Sequence, residues 1–247
     1  MPPDELTGSA TAEGSGPVDR PLLDRGAIEI IGRMPWSSNG TYLVELTSGD
    51  DTDRAIYKPH RGERPLWDFP DGLYRREVAS WELSDHLGWH LVPRTVVRDD
   101  GPHGTGSLQA FVEADHQQHY FTLLADESLH PQFRRLAAFD IVTNNTDRKS
   151  GHCLLGSDGR IWAIDNGLSF HAQFKLRTVI WEFAGQPLDD DVLADLDGLA
   201  DHGLPDRVAC LLGVFERDAV LARARALLRA GCLPADPSGQ RYPWPLV

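Results

Sequence analysis

The chain has 247 residues, of which 24 are basic and 37 are acidic, so its formal net charge is −13. This length accommodates one large domain or two lobes that share a cleft. The acidic excess argues against non-specific binding to nucleic acid or to an anionic membrane face. Cys153, Cys210 and Cys232 have no paired spacing, which favours a reducing, cytoplasmic compartment. No stretch approaches the apolar length that crosses a bilayer, so no integral membrane association is expected.

The N-terminal half is predicted to be rich in strands. Residues 1–22 are rich in Pro, Gly, Ser and Thr and have little to bury, so a disordered arm is expected there. Apolar residues recur at helical spacing in residues 73–86, which predicts one helix among the strands. Short apolar runs bounded by turn residues predict strands at residues 27–31, 41–46, 54–58, 96–97 and 108–112.

The C-terminal half is predicted to be mostly helical, with a short hairpin at residues 153–164. The predicted helices span residues 120–124, 131–144, 189–200 and 206–230. Strands with one helix, followed by helices with one hairpin, predict an α+β fold of two lobes on either side of a cleft. The strand-rich N-lobe would comprise residues 23–113 and the helical C-lobe residues 114–247.

Two carboxylates in different surroundings are the main candidates for chemistry. Asp147 lies in a polar loop after an apolar helical stretch, and Asp165 follows a short apolar strand and precedes Asn166-Gly167. Phosphoryl transfer requires such a pair: one carboxylate orients the attacking hydroxyl and accepts its proton, and the other holds the Mg²⁺ that bridges the phosphates. The alternative is that both stretches are ordinary turns, since Asn, Asp and Gly are turn residues.

Lysine is scarce, because Lys58, Lys149 and Lys175 are the only lysines among the 24 basic residues. Where arginine fills most basic positions, a remaining lysine can mark a need for a compact ammonium group. Lys58 ends a predicted strand from which it would reach the ATP phosphates, with Glu77 on the predicted helix as its carboxylate partner. Lys149, two residues after Asp147, is a second catalytic candidate. The alternatives are a solvated helix face at Glu77 and chance placement of the lysines.

The loop at residues 32–40 is the candidate for covering the phosphates. Its hydroxyl and backbone N–H groups could surround a triphosphate as a glycine-rich loop does, although any hairpin loop offers similar groups. The candidate ATP-binding residues of this loop are Ser37, Ser38, Asn39 and Gly40.

Three residues around Asp147 are candidates for supporting roles. His152 follows Asp147 by five residues, where a site of this type needs a second metal ligand, and imidazole suits Mn²⁺ better than Mg²⁺. Asn145 is a further oxygen ligand candidate in the same loop. Asp140, on the helix before the loop, either orients the loop backbone or caps a surface turn.

Several stretches are similar to one known family. Residues 139–148 (FDIVTNNTDR) and 163–170 (AIDNGLSF) resemble the catalytic and metal-binding motifs of the type II phosphatidylinositol 4-kinases. More broadly they resemble the bacterial phosphatidylinositol 3-/4-kinase-like group, with the HipA-type kinases more distant. Residues 55–59 look like the family's ATP-lysine strand, and residues 76–79 and 91–95 are similar to its first-lobe helix and the strand after it.

The resemblance covers residues 28–185 and implies a protein-kinase-like fold with ATP and Mg²⁺ or Mn²⁺ in the cleft. It implies that Lys58 binds the ATP phosphates and that Glu77 pairs with it. It also implies that Asp147 is catalytic and Asp165 binds metal. The adenine contacts would come from the segment that contains Gln109, Phe111 and Val112.

This chain departs from the family in ways that bear on its substrate. The family has Asn at the position of His152, and its cysteine-rich lipidation segment has no counterpart here. The resemblance therefore implies an ATP-dependent kinase whose hydroxyl acceptor is a protein Ser/Thr, an inositol lipid or a small polyol, with a soluble acceptor favoured. Two alternatives stay open: a nucleotide-binding regulator with degenerate catalysis, marked by His152, and an enzyme that transfers AMP.

Overall fold

The computed structural model describes residues 21–34, 37 and 39–247. The arm expected at residues 1–22 falls, up to residue 20, outside the described residues, and so does Ser38 of the candidate phosphate loop. The last two residues of that expected arm begin a short helix, α1 (Pro21–Arg25). Leu23 of this helix is 1% exposed because it packs in the core of the sheet.

A five-stranded antiparallel sheet forms the N-terminal part, with the order β1-β2-β3-β5-β4. One helix, α2 (Tyr74–His86), connects β3 to β4 and agrees with the predicted helix at residues 73–86. The small core of this sheet contains Val44, Tyr57 and Leu108, which alternate with outward-facing residues along their strands. The strands are β1 (Ala27–Arg33), β2 (Tyr42–Ser48), β3 (Asp51–Pro59), β4 (Thr95–Arg98) and β5 (Gly106–Ala110).

Helices dominate the C-terminal part, as predicted, with one hairpin between them. The long predicted helix at residues 206–230 is two helices, because Gly213 has an extended backbone with ψ 159° and the Glu216 carboxylate accepts a hydrogen bond from its N–H at 2.8 Å. This bond caps the start of the second helix, while the first helix already ends at Ala209. The elements are α3 (Tyr120–Leu123), α4 (His130–Thr143), β6 (Cys153–Leu155), β7 (Ile161–Ala163), α5 (Asp190–His202), α6 (Asp206–Ala209) and α7 (Val214–Ala230).

Helix α4 ends in a way that directs the chain into the cleft. Asn144 adopts a left-handed conformation with φ 54°, which stops the helix three residues before Asp147. Its side chain donates hydrogen bonds to the carbonyls of His171 and Gln173 and accepts one from the amide of Lys175. A single side chain therefore ties the loop that carries Asp147 to the segment that follows Asp165.

The larger hydrophobic core lies among the helices and also includes part of α2. Ala79 and Leu83 of α2 pack with Phe139 of α4 and with the residues that follow α2 up to Val92. These residues precede the predicted lobe boundary at residues 113/114, which stays a prediction. Helix α2 thus packs on β4 and β5 of the sheet and also contributes to the core of the helical part. Every helix of the described residues is too short or too polar to span a membrane.

Candidate active site

Lys58 joins two carboxylates from different parts of the chain. At the end of β3, its Nζ forms an ion pair with Glu77 of α2 and another, at 2.8 Å, with Asp165 after β7. The other oxygen of Glu77 accepts the backbone N–H of Asn166 at 2.9 Å. Although burial favours a neutral amine, Asp165 and Glu77 raise the pKa of Lys58 above its ordinary value, so it remains an ammonium group.

Asp165 combines a strained backbone with an accessible carboxylate. Its φ is 57°, in the left-handed region that non-glycine residues adopt at a cost of about 1–3 kcal/mol. The side chain is 54% exposed, and it borders the open cleft. The positive charge of Lys58 lowers the pKa of Asp165 far below its ordinary value, so it is ionised. The strained turn therefore presents a charged oxygen to any ligand in the cleft.

Asp147 faces the same cleft from the loop after α4. Its backbone N–H donates to Asn145 Oδ1 at 2.9 Å, which fixes the loop, and its carboxylate lies 3.2 Å from Lys149 Nζ. Burial raises the pKa of Asp147, and the charge of Lys149 offsets part of that increase. Asp147 and Asp165 both line the cleft, as expected from the sequence, and Lys149 lies beside Asp147.

A buried ion pair supports both carboxylate loops. Asp140 and Arg148 are both 0% exposed and are joined by hydrogen bonds of 3.0–3.1 Å. Arg148 also donates to the carbonyl of Ile164 at 2.7 Å and to Asn166 Oδ1 at 2.6 Å. Of the two roles predicted for Asp140, orienting the loop is therefore right and the surface cap is wrong. Sequence reasoning missed Arg148, whose position directly after Asp147 was the available signal.

His152 lies beside Asp165, with Nε2 at 3.4 Å from Oδ2. Burial lowers the pKa of His152 to about 4, so the ring is neutral near pH 7. Its Nδ1 accepts a hydrogen bond from the Lys149 N–H at 3.3 Å, which places the single ring proton on Nε2, facing Asp165. The structure thus places His152 within reach of Asp165, and its role as a metal ligand stays a prediction.

The candidate phosphate loop is tied to the segment after β3. The N–H of Gly40 donates to the carbonyl of Gly62 at 2.8 Å, and Asn39 Oδ1 accepts the N–H of Arg64 at 3.0 Å. A Cβ on Gly40 would lie 3.0 Å from Gly62 Cα, so the two backbones pack closely and glycine is required there. Ser37 forms a hydroxyl–hydroxyl bond of 2.7 Å with Thr41 at the rim of the cleft.

A cavity of about 300 Å³ lies between the sheet and β6–β7, which is the size of a small-molecule site. Its apolar lining includes Met34, Ile56, Leu154 and Ile164. Gln109, Phe111 and Val112 also border it, and the adenine contact predicted for them stays a prediction. The side chain of Gln109 is committed to Thr95 Oγ1 at 2.9 Å, and the ring of Phe111 packs under Arg54 at 4.6 Å.

A smaller cavity of about 60 Å³ continues from the first along the phosphate loop. The two cavities share the residues that meet at their junction, all of which are polar or charged. The shared residues are Ser37, Thr41, Lys58, Asp147 and Asp165. An apolar chamber that leads into a narrow charged one fits a molecule with an aromatic end and an anionic end.

His60, Glu63 and Asp71 form a second group of metal-type side chains, with ligand atoms within 4.8 Å of one another. The Glu63 oxygens accept the N–H groups of Leu73 and Tyr74 at 2.9 and 2.7 Å, at the start of α2. His60 Nε2 contacts Asp71 Oδ2 at 2.9 Å. Glu63 is thus used as a helix cap, a role for which the sequence gave no signal.

Comparisons with solved structures define the class of fold. The chain is similar to the Golgi casein kinase with Mn/ADP bound, with a TM-score of 0.55 and 14% identity over 92% of this chain and 80% of that chain. It is also similar to hydra Fam20 with sugar, with a TM-score of 0.54 and 12% identity over 83% and 85% of the two chains. The Helicobacter pylori proinflammatory kinase CtkA matches with a TM-score of 0.50 and 10% identity over 84% and 93%. The predicted α+β, bilobal protein-kinase-like fold is confirmed.

Within that class, sequence similarity identifies a relative. The chain is 37% identical over 264 aligned positions to Protein Rv2133c from Mycobacterium tuberculosis, covering 91% of this chain and 94% of the relative. The chain belongs to the same family as that protein. No family model matches it.

Proposed function

We propose that this protein is an ATP-dependent phosphotransferase that transfers the γ-phosphoryl group to a hydroxyl acceptor. The observation that carries the proposal is the ion-paired group of Lys58, Glu77 and Asp165, which faces Asp147 across one cleft. Four residues from four separate stretches of sequence meet there, on a kinase-like fold. Their chemical types are those that phosphoryl transfer uses: an ammonium group for phosphates, its carboxylate partner, a metal carboxylate and a base.

The proposed roles follow from where each side chain lies. The adenine ring would occupy the apolar chamber beside Val112, and the phosphates would extend toward Lys58. Asp147 would orient the acceptor hydroxyl and take its proton, and burial, which raises the pKa of Asp147, makes it a stronger base than an exposed carboxylate. Lys149, 3.2 Å from Asp147, would balance negative charge on the transferred group.

Mg²⁺ or Mn²⁺ is part of the proposal, and Asp165 is the residue that would hold it. A single accessible carboxylate fits Mg²⁺, which proteins bind through one or two carboxylates together with substrate phosphates and water. The metal would neutralise charge on the phosphates during transfer. His152 would act by donating to Asp165, which orients the carboxylate. The Golgi casein kinase named above is described with Mn/ADP, which agrees with this assignment.

The kinase family to which the protein belongs and the acceptor that it uses are also part of the proposal. The motifs around Asp147 and Asp165 support membership of the phosphatidylinositol 3-/4-kinase-like group. The net charge of −13 favours a soluble acceptor over an anionic lipid surface. The three cysteines are free thiols, which supports a reducing, cytoplasmic setting.

Labelled ATP tests the reaction type directly. The purified protein is incubated with ATP labelled in the α- or the γ-phosphate, with Mg²⁺ or Mn²⁺ and with candidate acceptor pools of proteins, polyols and inositol lipids. Transfer of the γ-label supports the proposal, and transfer of the α-label would assign adenylyl transfer instead. Nucleotide-dependent thermal stabilisation without transfer of either label would assign a binding regulator.

The role of Asp147 is tested with a matched pair of variants. Asp147→Asn keeps the shape of the side chain and removes the proton acceptor, so we expect turnover to fall at least about a hundredfold. Asp201→Asn makes the same change at an exposed position on α5 and should leave turnover unchanged. More than a tenth of wild-type turnover in Asp147→Asn would remove Asp147 from the catalytic role.

A further inference from the structure

Arg76 is a buried cation on α2, directly before Glu77. The residue is 3% exposed, and its guanidinium forms an ion pair with Glu216 at the start of α7. Its Nε also donates to the carbonyl of Ser169 at 3.1 Å, in the segment after Asp165. Arg75, its neighbour, is exposed, so the face of α2 at Arg76 is not the solvated surface that a pair of arginines suggests.

Helix α2 holds both ends of one short turn. Glu77 accepts the N–H of Asn166, and Arg76 donates to the carbonyl of Ser169 three residues later. Gly167 lies between them, where a Cβ would come within 3.3 Å of Glu77 Oε1, so a larger residue would press on the Glu77 carboxylate. The turn that starts at Asp165 is therefore fixed in its position relative to α2 at two points.

Glu216 connects this arrangement to the helical lobe. One of its oxygens contacts Arg76, and the other accepts the N–H of Gly213 at 2.8 Å, which caps α7. Because Glu216 is held by the cap, it presents its second oxygen to Arg76 in a fixed place. The contacts of Ala79 and Leu83 with the larger core anchor the next turns of α2 in the same lobe.

We propose that Arg76 is a positioning residue that, anchored on Glu216, holds α2 so that Glu77 keeps Lys58 and Asp165 together. This inference rests on the proposed function and adds its regulation: the ion-paired site is assembled permanently by the fold. In this arrangement the ion pair between Arg76 and Glu216 fixes the start of α2 against the start of α7. Arg76 acts through Glu77 and does not touch the substrate.

Replacing Arg76 alone would leave Glu216 as a buried, unpaired charge and destabilise the protein. A loss of turnover could then not be assigned to the position of Glu77. The double variant Arg76→Met/Glu216→Gln avoids this difficulty. It buries no unpaired charge, and the Gln amide oxygen can still accept the Gly213 N–H. The contact with Ser169 and the ion pair are lost. Arg75→Met is the matched control, because it removes the same charge one residue earlier on the exposed face.

Two measurements decide the proposal. The first is turnover: for the double variant we expect kcat to fall about tenfold to a hundredfold, as misplacement of a catalytic group does. The KM for ATP should rise by a smaller factor than kcat falls, because the apolar residues that would hold the adenine ring are not among those that the variant displaces. The second is amide exchange at Asn166, whose N–H is bound by Glu77. It should become at least about tenfold faster, while exchange at Ala163, bound to Leu91, stays unchanged.

A purely structural role predicts a different pattern. If the double variant has the same kcat and the same Asn166 exchange rate as the wild type, Arg76 is only a buried partner of Glu216 and the proposal is wrong. If the wild type transfers no phosphoryl group, the proposed function fails, and the exchange at Asn166 still decides whether Arg76 positions Glu77. Arg75→Met should match the wild type in both measurements.

Discussion

Two charged clusters flank the turn after β7, and they differ in access. Asp140 and Arg148 form a sealed cluster: both are 0% exposed, and Arg148 is bonded to the two loops that meet there. Lys58 and Asp165 belong to an open cluster, in which 54% of the Asp165 side chain is exposed. Both clusters consist of a cation held by oxygen atoms, so residue type does not separate them.

Access to the cleft determines what each cluster can do. In the sealed cluster, the fully buried side chain of Arg148 is bonded to oxygen atoms of the protein. Its hydrogen bonds therefore stabilise the two loops, and no ligand can reach them. The open cluster places a charged carboxylate oxygen on a cavity wall, where a metal ion or phosphate can approach. An Asp→Asn change in each cluster alters the same atom, which makes the comparison testable by a matched pair.

The largest effect is expected from Asp140→Asn. The amide cannot balance the charge of Arg148, and removing one partner of a buried ion pair costs about 3–5 kcal/mol. We expect the free energy of unfolding, measured with urea, to fall by that amount. Turnover of the folded fraction should fall too, because Arg148 no longer holds both loops. A loss under about 1 kcal/mol would mean that water reaches the cluster, which would then not be sealed.

The open cluster should show the opposite pattern. Asp165→Asn keeps a residue type that tolerates the left-handed backbone, and the altered oxygen already faces the cleft. We expect turnover to fall about a hundredfold to a thousandfold, about 3–4 kcal/mol of transition-state stabilisation, because the metal carboxylate is lost. Unfolding free energy should fall by less than in Asp140→Asn, because the lost ion pair with Lys58 is at a carboxylate that is 54% exposed to solvent. The stabilisation of the protein by ATP with Mn²⁺ should disappear in a thermal shift assay. A large loss of stability with normal turnover would show that Asp165 has a structural role, contrary to its assignment to the open cluster.

More residues of the open cluster than of the sealed cluster were selected from the sequence. Lys58, Glu77 and Asp165 were found because phosphoryl transfer needs those residue types at those spacings, and the structure brings them together. The sheet and most helices were predicted because apolar periodicity reports them directly. The break between α6 and α7 was missed, since Leu, Val and Ala continue through it and the capping contact of Glu216 depends on side-chain geometry.

The sealed contacts were harder to predict because they join distant parts of the chain. Arg76 and Arg75 are adjacent and chemically identical, yet one is 3% exposed and the other lies in solvent. What distinguishes them is that Arg76 contacts Glu216 and Ser169, which are distant in the sequence, and a local pattern does not encode those contacts. The same is true of Arg148, whose partners lie on α4 and after β7.

A third prediction concerns His152, which lies between the two clusters and is 14% exposed. Burial lowers the pKa of its imidazole to about 4, from an ordinary value of 6.5. Above pH 6.5 the ring is neutral in both the folded and the unfolded chain, so it contributes no pH dependence. Between pH 6.5 and 4 the unfolded chain binds a proton that the folded chain does not, so stability falls as the pH falls. The loss is about 1.4 kcal/mol per pH unit, at most roughly 3 kcal/mol.

His152→Asn should remove this part of the acid-side slope when unfolding free energy is measured from pH 7 to 4. His202→Asn, at an exposed position on α5, serves as the control and should keep the slope of the wild type. An unchanged slope in His152→Asn would mean that the ring titrates freely, as an open group does. His152 would then lie outside the sealed cluster of Asp140 and Arg148.

The smallest expected effect is at Glu63, which tests whether a third group of charges is sealed or open. Its side chain is 10% exposed and accepts two backbone N–H groups at the start of α2. Glu63→Gln keeps an acceptor oxygen but loses the negative charge that favours a helix N-terminus, which costs about 0.3–1 kcal/mol. Asp71→Asn, at the exposed member of the same group, should leave stability unchanged.

Neither variant should change the Mn²⁺ concentration that turnover requires, because the oxygens of Glu63 are engaged by the helix. A weaker response to Mn²⁺ in Glu63→Gln at unchanged stability would place a metal ion at His60, Glu63 and Asp71, and the open region would then extend beyond Lys58 to the start of α2.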